Sequence, residues 1–202
     1  MSGIVGSRLN IRGSGLVGSL GTDGQVFTSS GAGSSAVYEA AAGGGKVLQC
    51  VGNSIGGAGA NQEVTTETPT ATGIVQAITP TSATNRILIM MDFSVVLYDV
   101  GGNSAGGGIA IYRDIGGAGF TNLDTNKTGN IGSAANEQIY KTYDDLLCYT
   151  RYQLQYWDAS YDSTSECTYK LYIAEMQSND NYFNIGAGSG LVSTVLMEID
   201  ES

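Results

Sequence analysis

Between Ile87 and Leu97 every second residue is large and apolar: Ile87, Ile89, Met91, Phe93, Val95 and Leu97, with Leu88, Met90, Asp92, Ser94 and Val96 mixed between them. A period of two belongs to an extended strand whose alternate side chains enter one buried face. The same period recurs where Tyr152, Leu154 and Tyr156 alternate with Arg151, Gln153 and Gln155, and where Tyr169, Leu171 and Ile173 alternate with Thr168, Lys170 and Tyr172. Leu191, Val195, Met197 and Ile199 are expected to close the chain in the same way, with Ser193 as the gap. Turn-forming residues separate these runs, in Gly101 to Ser104, Gly116 to Gly119 and Asp158 to Ser165. Short strands punctuated like this predict an all-β sandwich or barrel. One stretch fits another period: Ile139, Tyr143 and Leu146 or Leu147 make a helical stripe within residues 136–147, with Ser133 nearby as a cap.

Glycine divides the chain unevenly, since 16 of its 30 glycines fall in the first 60 residues. The natural cut is at Gly43 to Gly45, giving an extended arm over residues 1–43 and a sandwich over residues 44–202. Fixing a glycine in regular structure costs roughly 0.5–1 kcal/mol against alanine, so an arm this rich in glycine is not expected to order by itself. Its apolar residues, among them Ile4, Val5, Leu9, Ile11, Leu16, Val17, Val26 and Phe27, nonetheless sit in short extended pieces between glycines. Two readings stand: a flexible tether, which Gly/Ser richness ordinarily means, and an arm that docks on a partner. The alternation in Arg8-Leu-Asn-Ile-Arg12, and the turn signal Gly21 to Gly24 ahead of Gln25-Val-Phe-Thr28, favour the second.

Composition removes most chemistry. The chain has no histidine, which excludes Ser-His-Asp and Cys-His catalysis, His-containing zinc sites and haem-His ligation. Its net charge is −10, and Lys46, Arg86, Arg113, Lys127, Lys141, Arg151 and Lys170 are scattered singly, so no basic stripe is available for nucleic acid. The longest strongly apolar run, Ile87 to Met91, is far short of the ~20 residues of a membrane helix, and no membrane insertion is expected. The N-terminal residues lack a continuous apolar core of signal-peptide length, and Ser2 stands where myristoylation needs glycine, so synthesis in a cytoplasm is expected. Cys50, Cys148 and Cys167 are odd in number, lack Cys-x-x-Cys spacing and are read as buried or half-buried thiols.

The remaining motifs are weak. Asp124 to Gly129 opens like a calcium loop but has Ala135 at its twelfth position, and reads as an ordinary turn with no metal. Gly43-Gly-Gly-Lys-Val lacks the phosphate-loop spacing and reads as a hinge. Asp144, Asp145, Asp158, Asp162 and Glu166 are the carboxylates that a His-free glycosidase would need, yet several fall in polar turns where Asp supplies turn hydrogen bonds. No catalysis and no cofactor are expected. Tyrosines crowd the last third of the chain with the one tryptophan, and they serve a core, an assembly seam or a receptor platform. For the platform, the candidates are Trp157, Asp158, Tyr161, Asp162 and Glu166, a turn with an aromatic at its entry. Leu88, Met90, Val96, Tyr98, Tyr172 and Met176 leave the outer faces of the strands unusually apolar, which predicts burial between copies in an obligate homo-oligomer, expected as a trimer.

The segment from Ser2 to Gly33 resembles the N-terminal and linker segments of tail-fibre and related virion proteins of marine bacteriophages. The body resembles the C-terminal jelly-roll module of the same proteins at Gly44 to Gln49, at Ile78 to Ile89 with its Thr-Pro and Ser/Thr-rich turn, at Gly108 to Arg113, at Tyr156 to Asp158 before Cys167 to Lys170, and at Val195 to Ile199. The resemblance implies a homotrimeric structural protein at the virion surface, with a jelly roll presented for attachment to a host glycan or protein. It also implies an arm that docks on other virion proteins through Ile4, Val5, Arg8, Leu9, Ile11 and Arg12. The chain is short for a fibre, so a stubby tail appendage, a head fibre and a capsid decoration protein without receptor binding all stay open, with a polysaccharide depolymerase as a more distant alternative.

Overall fold

The alternation over residues 87–97 is met residue for residue in the computed structural model, which describes residues 10–11, 15–16, 25–28, 37–40, 47–56, 61–98, 105–123, 137–141, 147–175, 182–186 and 191–200. Ile87, Ile89, Met91, Phe93, Val95 and Leu97 are fully buried along one face of a 13-residue strand, while Leu88, Met90, Asp92 and Ser94 are half-buried on the other. Two units are distinguished, Met1–Gly44 and Gly45–Ser202. In the first, β1 (Asn10–Ile11) pairs with β2 (Gly15–Leu16), and β3 (Gln25–Thr28) pairs with β4 (Val37–Ala40), both antiparallel.

The second unit holds β5 (Val47–Ile55), β6 (Gln62–Val64), β7 (Thr70–Ile78), β8 (Arg86–Tyr98), β9 (Ala105–Ile115), β10 (Thr121–Asn122), β11 (Glu137–Lys141), β12 (Leu147–Asp158), β13 (Cys167–Glu175), β14 (Tyr182–Ile185) and β15 (Val192–Ile199). Among the described residues there is no helix. One antiparallel sheet contains β5-β15-β8-β12, with β14 and β6 continuing it beyond β15 along β8; the other contains β7-β13-β9-β11, with β10 beside β9.

Setting aside the short strands β6, β10 and β14, the first strand pairs with the eighth (β5 with β15), the second with the seventh (β7 with β13), the third with the sixth (β8 with β12) and the fourth with the fifth (β9 with β11). That is one long hairpin of strand pairs rolled into two sheets, the jelly-roll order. The inner faces meet in a core where Ile87 to Leu97 of β8, with Phe183, Ile185, Val192 and Leu196 from its own sheet, oppose Ile74, Ile78, Ile109, Ile111, Tyr169, Leu171 and Ile173.

Two expectations are corrected. Residues 137–141 form β11 rather than part of a helix, with Glu137 opposite Ile109 and Lys141 opposite Ala105. A helix this short has little stability of its own, and a strand ladder along the glycine-rich start of β9 supplies backbone partners a lone helix lacks. The last strand is also out of phase with its sequence reading. Val192, Thr194, Leu196 and Glu198 face inward and are buried, whereas Val195, Met197 and Ile199 are half-buried on the outer face and Leu191 is exposed. A one-residue phase change moves every side chain to the other face, and here it is tolerated because the inward carboxylate of Glu198 finds a full set of donors. Of the outer-face residues, Leu88, Met90, Tyr98 and Tyr172 are half-buried and Val96 is buried. Met176 lies outside the described residues.

Candidate functional site

Strand register sets the outer face of the β5-β15-β8-β12 sheet into rows. Trp157, Leu88, Met197 and Cys50 form one row; Gln155, Met90, Val195 and Gly52 form the next; Gln153, Asp92, Ser193 and Ser54 form the third. The face therefore grades from apolar to polar along the strands, and Arg151 Nε donates to Asp92 Oδ1 at 2.6 Å on its polar part. At the apolar end Trp157 is 51% exposed, and Val47 and Leu48 of the edge strand β5 are exposed as well. Arg86, Trp157, Ile199 and Asp200 line an open groove of about 520 Å³ there. The groove thus sets an indole face, which offers stacking area, beside a guanidinium and a carboxylate.

The residue after Trp157 turns the other way. Asp158 is 1% exposed, and it stands opposite Ile87 in β8 on the inner face. Arg113 Nη1, from β9 in the other sheet, donates to both carboxylate oxygens at 2.7 Å. Tyr169 Oη donates to Oδ2 at 2.7 Å, and the Ser160 backbone N–H donates to Oδ1 at 3.0 Å. Burial, then the adjacent Asp158 carboxylate, holds the Tyr169 phenol protonated far above its usual range. Burial also pushes the neighbouring Cys167 thiol up to about 11, so it is a poor nucleophile. All three cysteines are free thiols.

Glu198 flanks Ile87 from the opposite side, in β15. Its carboxylate accepts from Asn85 Nδ2 at 2.6 Å, Gln49 Nε2 at 2.6 Å, and the Thr81 N–H and hydroxyl at 2.8 Å each. Burial alone would raise its pKa, but the donors outweigh burial and lower it. Glu198 therefore anchors the β7–β8 turn, and Asp158 ties the two sheets together, so the inner face is closed at this end by two satisfied carboxylates.

The sequence candidates separate accordingly. Trp157, Asp162 and Glu166 are exposed, Asp162 with a positive φ of 43°, while Asp158 and Tyr161 are buried. Tyr161 Oη donates to the Ser82 carbonyl at 3.1 Å, which makes it a brace between turns. Ile11 belongs to β1, and Ile4, Val5, Arg8, Leu9 and Arg12 lie outside the described residues, as do Asp144, Asp145 and the segment from Asp124 to Gly129. Among the described residues no group of three or more acidic or cysteine side chains is placed to hold a metal ion. Sequence reasoning missed Arg86, Ile199 and Asp200, which join Trp157 only through strand pairing. It also missed Arg113, whose one available signal is a cation in phase with the apolar Ile109 and Ile111 of its strand.

The outer face of the second sheet carries its own aromatic group. Tyr112 and Tyr172 stack with ring centroids 3.9 Å apart, Phe120 lies 6.2 Å from Tyr172, and Lys170 Nζ sits 4.9 Å above the Phe120 ring.

No protein-family model matches this chain, and no curated protein matches it. Solved structures of infectious bursal disease virus show a likeness: a chain of the T13 viral particle, with a TM-score of 0.37 and 12% identity, and VP2 of the subviral particle, with a TM-score of 0.35 and 11% identity. The matches cover 81% and 87% of this chain but 39% and 44% of those chains, so this chain spans about two fifths of their length.

Proposed function

We propose that this chain is a non-enzymatic structural protein of a bacteriophage particle, a short trimeric tail fibre or appendage whose jelly roll meets the host surface. The observation that carries the reading is the outer row Trp157, Leu88, Met197 and Cys50 with its groove. A sandwich with a complete core still presents a tryptophan and half-buried aliphatic residues to its surroundings, and such a patch marks contact with another molecule. The glycine-rich composition of residues 1–43 supports an arm that attaches to a particle, and the sequence resemblance to phage appendages points the same way. Of the acids that depolymerase chemistry would call on, Asp158 has both oxygens engaged by Arg113 and Tyr169, and Asp162 and Glu166 lie exposed in a turn, which favours the non-enzymatic reading.

The test uses the fluorescently labelled full chain on host cells. Trp157→Ala is expected to weaken binding roughly tenfold or more, because buried tryptophans carry a disproportionate share of interface energy. Unchanged binding by a folded Trp157→Ala protein overturns the assignment of this face to the host.

A further inference from the structure

Opposite the end closed by Asp158 and Glu198, a third carboxyl enters the sandwich without any of their support. Glu175 is the last residue of β13, following the inward series Cys167, Tyr169, Leu171 and Ile173, and it is 1% exposed. Its cross-strand neighbour in β9 is Gly107. A Cβ built on Gly107 would come within 2.2 Å of the Phe183 ring, so that ring from the facing sheet lies directly over the glycine beside Glu175. Neither carboxyl oxygen of Glu175 has a hydrogen-bond partner. The strand end is held by its backbone N–H, which donates to the Thr66 carbonyl at 2.7 Å in the connection between β6 and β7.

Among the described residues, no cation or hydrogen-bond donor engages this carboxyl. From β9 come Gly106, Gly107 and Gly108, and from β14 come Phe183, Asn184 and Ile185, none of them titratable. The β6–β7 connection contributes the exposed Glu67, a like charge, and β6 contributes the exposed Glu63. Burial, with Glu67 adding to it, pushes the Glu175 carboxyl up to about 7. A buried charge without partners is among the costliest arrangements in a protein, and the neutral acid is far cheaper.

We propose that Glu175 is a proton-operated latch on this end of the jelly roll: protonated, it lets the end of β13 and the residue 65–69 connection close over Phe183, and ionised, it draws water in and parts them. This proposal stands on the interior of the sandwich and does not rest on the host-binding reading. The closed form binds the proton more tightly than the open form. Closure is therefore fully favoured below the ordinary glutamate range, weakens as the pH rises toward about 7, and changes no further above it. A shift of this size corresponds to an increase in the opening equilibrium on the order of a hundredfold between about pH 5 and about pH 8.5.

Hydrogen exchange of the full chain, corrected for intrinsic rates, reads this opening in peptides covering residues 65–69 and 171–175. The wild type is expected to follow the hundredfold rise, while Glu175→Gln, which mimics the neutral acid, stays at the closed level throughout. Carbon-13 titration of the Glu175 carboxyl gives an independent reading, with a midpoint expected near 7. A midpoint near the ordinary value of about 4.3 overturns the proposal. So does an unchanged pH profile in Glu175→Gln, and so does restoration of the closed level by millimolar calcium at alkaline pH, which would make the occupant a metal ion.

Discussion

Asp158→Ala is expected to lower the unfolding free energy by about 3–5 kcal/mol, a large share of the roughly 5–15 kcal/mol that holds a domain together. The substitution strands more than it deletes. Arg113, whose side chain is 12% exposed, loses the carboxylate that its Nη1 reaches at 2.7 Å, and its Nε is already buried without a partner. Tyr169 loses the acceptor of its buried hydroxyl, and the Ser160 N–H loses the oxygen that shapes the start of the β12–β13 turn. Most of the cost is thus the cation left behind. Adding Arg113→Met to Asp158→Ala should recover stability, since an apolar replacement of a buried pair is often neutral or better. Urea unfolding of both single variants and the double variant checks this. A loss below about 1 kcal/mol for Asp158→Ala would mean that the bond between the sheets is not a determinant of stability.

Gly107→Ala is expected to cost about 3 kcal/mol, at the upper end of overpacking penalties. The added Cβ would lie 2.2, 2.3 and 2.6 Å from three atoms at the root of the Phe183 ring, which is fully buried and has no free end to swing aside. The requirement for glycine here is one of space, and Gly107 gives the aromatic its seat. Phe183→Leu should cost stability alone yet relieve part of the Gly107→Ala penalty, a coupling visible in a double-mutant cycle from thermal or denaturant melts. Strictly additive losses would show that the ring and the glycine do not share this space.

Much of the architecture was legible because period-two alternation is a local signal. Ile87 to Leu97 and Tyr169 to Ile173 declared their buried faces, and Gly116, Gly117 and Gly119 take the positive φ values that their turn requires. The last strand was misread because hydrophobicity alone ranks Val195, Met197 and Ile199 above Thr194 and Glu198. Glu198 is buried only because donors from Gln49, Thr81 and Asn85, more than a hundred residues away, converge on it. Residues 137–141 had an ambiguous period that the β9 ladder decided.

The candidate site was legible in part for the same reason. Trp157 stands out in any sequence, but the neighbours that make its groove come from β8 and from the end of the chain. Alternation along β12 carried two residues beyond Tyr156 puts Asp158 on the inner face, apart from the exposed residues of the turn, and its partner Arg113 lies 45 residues earlier.

The most direct test of the particle-protein account is gold-labelled antibody raised against residues 45–202, applied to intact phage particles and viewed by electron microscopy. The account predicts label on the particle surface confined to the tail. Label over the capsid would replace the appendage with a decoration or head-fibre protein, and particles bearing no label at either place would contradict a virion role altogether.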